Sequence, residues 1–126
     1  MAARNRIALE LGRKIGTRKA QVAVIGLGYV GLPLACELVR IGFKVVGIDT
    51  DQERISSIAK GHSFVSDIPS AQLQSILHTK CLMTSFSFGP LAASDVIIIC
   101  VPTPLNKTQD PDLSSIINAT SELKKL

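Results

Sequence analysis

Aromatic residues make up 4% of this 126-residue chain, and none falls among its first 19 residues. That segment sets Arg4, Arg6, Arg13, Lys14, Arg18 and Lys19 against a single Glu10, and it carries much of the net charge of +4. A basic arm with interleaved rings would suit nucleic acid, because bases stack on aromatic faces. Without rings it reads as a solvated leader helix. Histidine is scarce as well. His62 and His78 stand alone and the three cysteines, Cys36, Cys81 and Cys100, form no CxxC pair, so no metal-ligand spacing is present. The cysteines read as small buried hydrophobes in a reducing compartment. No apolar run approaches the roughly 20 residues needed to span a bilayer. The basic N-terminus lacks the apolar segment of a secretory signal. A cytoplasmic protein with no membrane, nucleic-acid or metal partner is expected.

The chain is 46% hydrophobic and 19% charged, a globular composition at a length suited to one small domain. Its organising stretch is Gln21 to Asp51, QVAVIGLGYVGLPLACELVRIGFKVVGIDTD. Val22 to Ile25 is a continuous apolar run, which suits a strand buried on both faces. Gly26, Gly28 and Gly31 follow as G-L-G-Y-V-G. A helical pattern runs from about Tyr29 to Ile41, and a second β run, Lys44 to Ile48, ends on Asp49.

Each piece has a physical role. Gly26 permits a tight turn, Gly28 lets a pyrophosphate approach the backbone, and Gly31 lets the helix pack close to the sheet. The helix start offers unpaired N–H groups and the positive end of the macrodipole. Asp49 stands where a carboxylate accepts both hydroxyl protons of an adenosine ribose, and there it would repel a 2′-phosphate, favouring NAD over NADP. FAD enzymes share this fingerprint, and methyltransferases use a related loop.

The flanks extend the pattern. Ile7, Leu11 and Ile15 predict a short amphipathic helix over residues 4–15. Asp51 or Thr50 caps a second crossover helix, DQERISSIAK, which Gly61 stops. Arg54 in its first turn is placed to stack on adenine or bind a ribose hydroxyl, and equally to be a solvated helix charge. An irregular GHSFVSDIPS precedes a helix through about His78 and a short strand at 81–85. Residues 91–94 are too few for a full crossover helix. Asp95 to Val101, DVIIICV, has no polar face and predicts a central parallel strand. Pro102 and Pro104 stiffen its exit around Thr103, at the carboxyl end of the sheet where ligands bind in open α/β folds. Asp112 caps a last helix.

Three blocks together resemble the UDP-glucose/GDP-mannose dehydrogenase family: VAVIGLGYVGLPLA at 22–35, GIDTD at 47–51 and ICVPTPLNKTQDPDLS at 99–114. The GHSFVSDIPS stretch is most similar to the branch acting on UDP-N-acetylglucosamine or a related UDP-N-acetylhexosamine. The resemblance implies oxidation of a sugar C6 alcohol to a carboxylate with two NAD. It implies that Tyr29 and Val30 contact the cofactor pyrophosphate, that Asp49 holds the adenosine ribose, and that Arg54 serves the adenosine side. Thr103 then lies near the cofactor in the V-P-T-P block, with Val101 and Pro102 beside it. The family's catalytic cysteine sits in a G-x-C-x-P setting far downstream, which Cys36, Cys81 and Cys100 do not match, so no catalytic residue is assigned. The chain is thus expected to be the front part of such an enzyme.

The expected fold is an incomplete Rossmann-like α/β domain. Four parallel strands run in the order 3-2-1-4, doubly wound with helices on both faces, over residues 19–126 behind a leader at 1–18. Strand four keeps an open apolar edge, so a homo-oligomer is expected. The alternative is a stand-alone nucleotide-binding module without chemistry. A nucleic-acid binder acting through the leader is the weakest reading, and it requires binding that falls steeply with salt.

Overall fold

The computed structural model describes residues 1–126. Its elements, in chain order, are α1 (Ala2–Gly16), β1 (Gln21–Ile25), α2 (Gly31–Arg40), β2 (Lys44–Ile48), α3 (Gln52–Ala59), α4 (Ser70–His78), β3 (Leu82–Ser85), a 3₁₀ turn (Gly89–Ala93), β4 (Val96–Ile99) and α5 (Ser114–Lys124). The strands form one parallel sheet in the order β3-β2-β1-β4. No helix is long and apolar enough to cross a membrane.

Strand periodicity divides the core in two, because successive side chains point to opposite faces. Val22 and Val24 of β1 and Val45 of β2 join the larger core with Leu32, Ala35, Cys36 and Val39 of α2, Ile55 and Ile58 of α3, and Leu73 and Ile76 of α4. Ala23, Ile25, Val46 and Ile48 face the other way, onto Leu91 of the 3₁₀ turn and Ala119 of α5. Both faces of β1 and β2 are therefore dry. The continuous apolar runs in the sequence record that fact. Leu27 is fully buried, and it fits only because Gly47 has no side chain: a Cβ there would stand 2.8 Å from a Leu27 methyl.

Three expectations shift. The strand expected over 95–101 is shorter, Val96–Ile99; it pairs only with β1 and is half-buried, so it takes the edge that the order 3-2-1-4 gives it and not the central place its composition suggests. The helix expected from Tyr29 begins at Gly31, which leaves Tyr29 and Val30 in the loop. Asp112 stands one residue outside the N-cap, Leu113, and accepts the Ser114 N–H at 2.9 Å. Hydrogen bonding to Ser114, through its side chain first and its N–H second, holds the Asp112 carboxyl below the usual range.

The basic leader is a helix with no buried residue. Of the predicted stripe, Ile7 is 69% and Ile15 40% exposed and Leu11 is half-buried, so the amphipathic face is largely uncovered. Polar contacts moor its C-terminal end. Lys14 Nζ reaches Asp95 Oδ1 at 2.7 Å, and Asp95 Oδ2 accepts the Gln21 N–H at 2.9 Å. Arg18, in a left-handed conformation, lies 5.2 Å over the Phe43 ring and donates to the Ile41 carbonyl. The hydrogen bond to Lys14 lowers the Asp95 pKa, and the same bond raises that of Lys14. The two groups therefore moor the leader at full strength between the ordinary carboxylate and lysine ranges. Mooring is lost on the acid side as pH falls through the depressed pKa of Asp95, and on the alkaline side as pH rises through the raised pKa of Lys14. Trypsin nicking within α1 is expected to speed up in Asp95→Asn at neutral pH. Equal nicking rates for Asp95→Asn and the unchanged chain would show that the pair does not hold the helix.

Candidate cofactor site

The site begins where β1 ends. Gly26 has φ +95°, and a Cβ there would stand 2.4 Å from the Cys100 carbonyl oxygen, so glycine is required by both conformation and space. The Gly26 N–H donates to the Ile48 carbonyl at 2.7 Å, and the Cys100 N–H donates to that of Ile25 at 2.7 Å. The turn is thereby stitched to both neighbouring strands. Gly31 is tighter still: its Cβ would lie 1.6 Å from the Gly26 carbonyl oxygen and 3.4 Å from the Cys100 Cβ. It packs α2 against the turn first and the sheet second. Gly28 differs, since a Cβ there meets nothing within 4 Å. No packing inside the chain accounts for glycine at that position.

The loop also holds free donors. The N–H groups of Gly28, Tyr29, Val30 and Gly31 make no hydrogen bond within the chain. They stand at the entrance of α2, where unpaired donors and the macrodipole favour an anion. Pro33 falls in the first turn of α2, where its missing N–H leaves no gap.

At the end of β2, Asp49 is 8% exposed. Its Oδ2 accepts the Leu27 N–H at 2.9 Å and Arg54 Nη1 at 3.1 Å, and its Oδ1 accepts the Asp51 N–H at 3.0 Å. The acid thus braces the glycine loop from below. Asp51 caps α3 by accepting the Arg54 N–H at 3.1 Å. That cap fixes where Arg54 leaves the helix and turns its side chain back to Asp49.

These groups line one cavity of about 540 Å³ at the carboxyl end of the sheet. Of the residues singled out from the sequence, Gly26, Gly28, Tyr29, Val30, Asp49, Arg54, Val101 and Pro102 line it. Gly31 is buried beneath the loop, and Thr103 is exposed and outside the lining. The lining also holds Phe88, Cys100, Ser115, Asn118 and Ala119, which the sequence reading did not single out. Ser115, Asn118 and Ala119 fall at i, i+3 and i+4, one face of α5, and that spacing was the available signal. Phe88 lies in irregular chain and carried none. Burial raises the Cys100 thiol pKa, so this cysteine stays protonated beside the cavity.

Comparisons with known proteins agree with this geometry. Residues 20–126 match the family model described as UDP-glucose/GDP-mannose dehydrogenase family, NAD binding domain. A UDP-N-acetyl-D-glucosamine 6-dehydrogenase of Pseudomonas aeruginosa is 37% identical over 108 residues, covering 84% of this chain and 24% of that protein. The structure of a UDP-D-ManNAc dehydrogenase from Pyrococcus horikoshii superposes with a TM-score of 0.78 at 36% identity, over 83% of this chain and 25% of the other. A ternary complex of GDP-mannose dehydrogenase from Pseudomonas aeruginosa gives a TM-score of 0.76 at 35% identity, covering 81% and 24%. This chain spans about a quarter of the length of these relatives. With its glycine loop, its acid after the second strand and its β3-β2-β1-β4 sheet, the chain belongs to the UDP-glucose/GDP-mannose dehydrogenase family and corresponds to its NAD binding domain.

Proposed function

We propose that this chain holds NAD in the cavity at the carboxyl end of its sheet, as the cofactor segment of an enzyme oxidising the C6 alcohol of a UDP-sugar to a carboxylate. A UDP-N-acetylhexosamine is the favoured sugar, on the GHSFVSDIPS stretch and the hexosamine relatives. One observation carries the reading: four free backbone N–H groups at an open glycine, with a carboxylate at the end of the neighbouring strand. The donors of Gly28, Tyr29, Val30 and Gly31 bind the pyrophosphate, and Gly26 and Gly31 shape the loop that presents them. Asp49 takes the adenosine ribose and Arg54 serves the adenosine side. Val101, Pro102 and Thr103 lie toward the nicotinamide end. NAD, when bound, accepts the hydride; this chain's residues bind and orient it. Calorimetric titration with NAD⁺, with NADP⁺ as control, tests the reading, and absence of NAD⁺ binding would overturn it.

The same reading predicts that this polypeptide alone does not oxidise a UDP-sugar. Thioester chemistry needs a cysteine thiolate beside a bound alcohol. Cys36 is buried in the core, and burial raises its pKa. Cys81 lies at the opposite end of the sheet, before β3. Cys100 is protonated. Incubation with NAD⁺ and UDP-N-acetylglucosamine is expected to give no NADH absorbance; enzyme-dependent NADH formation would refute this. Residues 1–18 act in this scheme as a leader outside the domain.

A homo-oligomer is part of the proposal. The open edge of β4 is an apolar strand with one row of unpaired backbone groups, a template for another strand. Sedimentation is expected to show a dimer or larger species that Ile98→Lys reduces. A clean monomer would argue against it.

A further inference from the structure

We propose that Phe64 is a positioning residue for the cofactor's adenosine side, holding the Arg54 guanidinium at the cavity wall when the ribose displaces it from Asp49. The inference rests on NAD occupying this cavity. Arg54 Cζ lies 5.0 Å from the Phe64 ring centroid. Arg54 lines the cavity and Phe64 does not, so the ring backs the guanidinium from outside and leaves its other side toward the ligand. Phe64 belongs to neither apolar core and is 38% exposed, so core packing does not explain the ring.

Its loop is built to hold it in place. Val65 and Ile68 anchor the segment in the larger core. The Ser63 N–H donates to Ser70 Oγ at 3.0 Å, while Ser63 Oγ donates to the Val65 carbonyl at 3.1 Å and accepts the Val65 N–H at 3.2 Å. The backbone on either side of Phe64 is thus pinned, and only the ring projects.

Acceptor capacity explains why the ring is needed. A carboxylate has about four lone-pair positions. Asp49 already receives three donors: the Leu27 N–H, the Asp51 N–H and Arg54 Nη1. A ribose diol brings two more, one beyond capacity. The Leu27 and Asp51 donors belong to backbone, so Arg54 is the group that yields. A released arginine on an exposed helix would disperse among its rotamers. Cation–π attraction to Phe64 keeps it beside the adenosine, where its free side stacks on the base.

The test is NAD⁺ calorimetry on the unchanged chain, Phe64→Leu, Phe64→Tyr, Arg54→Ala and the Phe64→Leu/Arg54→Ala double variant. Phe64→Leu keeps apolar bulk and removes the π face; affinity is expected to fall about fivefold, on the scale of an exposed cation–π contact. Phe64→Tyr should stay within about twofold of the unchanged chain. The double variant should bind no more weakly than Arg54→Ala alone, because the ring acts through the guanidinium. Should Phe64→Leu melt lower than the unchanged chain, Phe64→Met serves as the ring-free arm. The assignment is overturned by unchanged affinity in Phe64→Leu, by equal losses in the leucine and tyrosine variants, or by a full leucine effect in the Arg54→Ala background. In each of those results the unchanged chain still binds NAD⁺ and the cavity reading stands. If the unchanged chain binds no NAD⁺, the cavity reading falls and takes this assignment with it.

Discussion

Gly31→Ala is expected to collapse the cofactor loop, while Gly28→Ala leaves the fold intact and removes cofactor binding. The added methyl at position 31 would lie 1.6 Å from the Gly26 carbonyl oxygen. Both sides of that clash are backbone, so no rotamer relieves it. Either α2 slides away from the sheet or the turn after β1 opens. Overpacking of a tight core costs about 1–3 kcal/mol and occasionally more. With backbone on both sides the upper end applies, against a total stability on the order of 5–15 kcal/mol for a domain. A melting point lower by on the order of 10 °C or more follows. At position 28 the methyl meets only open space, so stability should stay within about 0.5 kcal/mol. The same methyl occupies the approach of the pyrophosphate, and NAD affinity should drop at least about tenfold, or roughly 1.4 kcal/mol. Thermal melts and NAD⁺ titrations on the two variants separate these effects. If both variants melt alike, the roles assigned to the two glycines are wrong.

Asp49→Asn is expected to weaken NAD binding by about 10- to 100-fold, since hydrogen bonds to a charged group are worth roughly 1.5–3 kcal/mol. The carboxylate serves the loop and the ligand together. An amide has one acceptor oxygen, so it cannot satisfy the Leu27 and Asp51 N–H groups as two carboxylate oxygens do. It also leaves Arg54 without its ion pair. Discrimination should shift as well, because the negative charge that repels a 2′-phosphate is gone while Arg54 remains. NAD⁺ affinity should fall more than NADP⁺ affinity, so that their ratio moves toward one. Titration of both dinucleotides checks this. NAD⁺ affinity within twofold of the unchanged chain would remove Asp49 from the site.

Much of this fold was legible because its rules are local. A run such as VAVI allows few structures, and a glycine triplet behind it leads into a helix whose far end Gly42 breaks. The family blocks at 22–35, 47–51 and 99–114 then tied these pieces to the NAD binding domain. The illegible parts depended on distance along the chain. Leu27 needs Gly47, and Gly26 is packed against Cys100, pairs that no periodicity reports. The composition of β4 is that of a strand covered on both sides, and its edge position was legible only from the expected strand order, which the sheet keeps. The Asp49–Arg54 ion pair could be anticipated from Arg54 lying in the first turn of α3. The Phe64 ring behind it could not, because GHSFVSDIPS carries no repeat that aims a side chain.

All four strands point the same way, so the sheet has two unlike rims. The glycine loop and Asp49 occupy the rim where strands end. Lys14, Arg18 and Asp95, which moor the leader, occupy the rim where strands begin. A five-residue strand separates the rims by about 17 Å. The molecule therefore offers a handle and a mouth on opposite sides. Coupling to a sensor surface through α1, at Arg4 or Arg6, would present the cavity outward to solution. A fluorophore at the same place would report tumbling and self-association without competing for the dinucleotide.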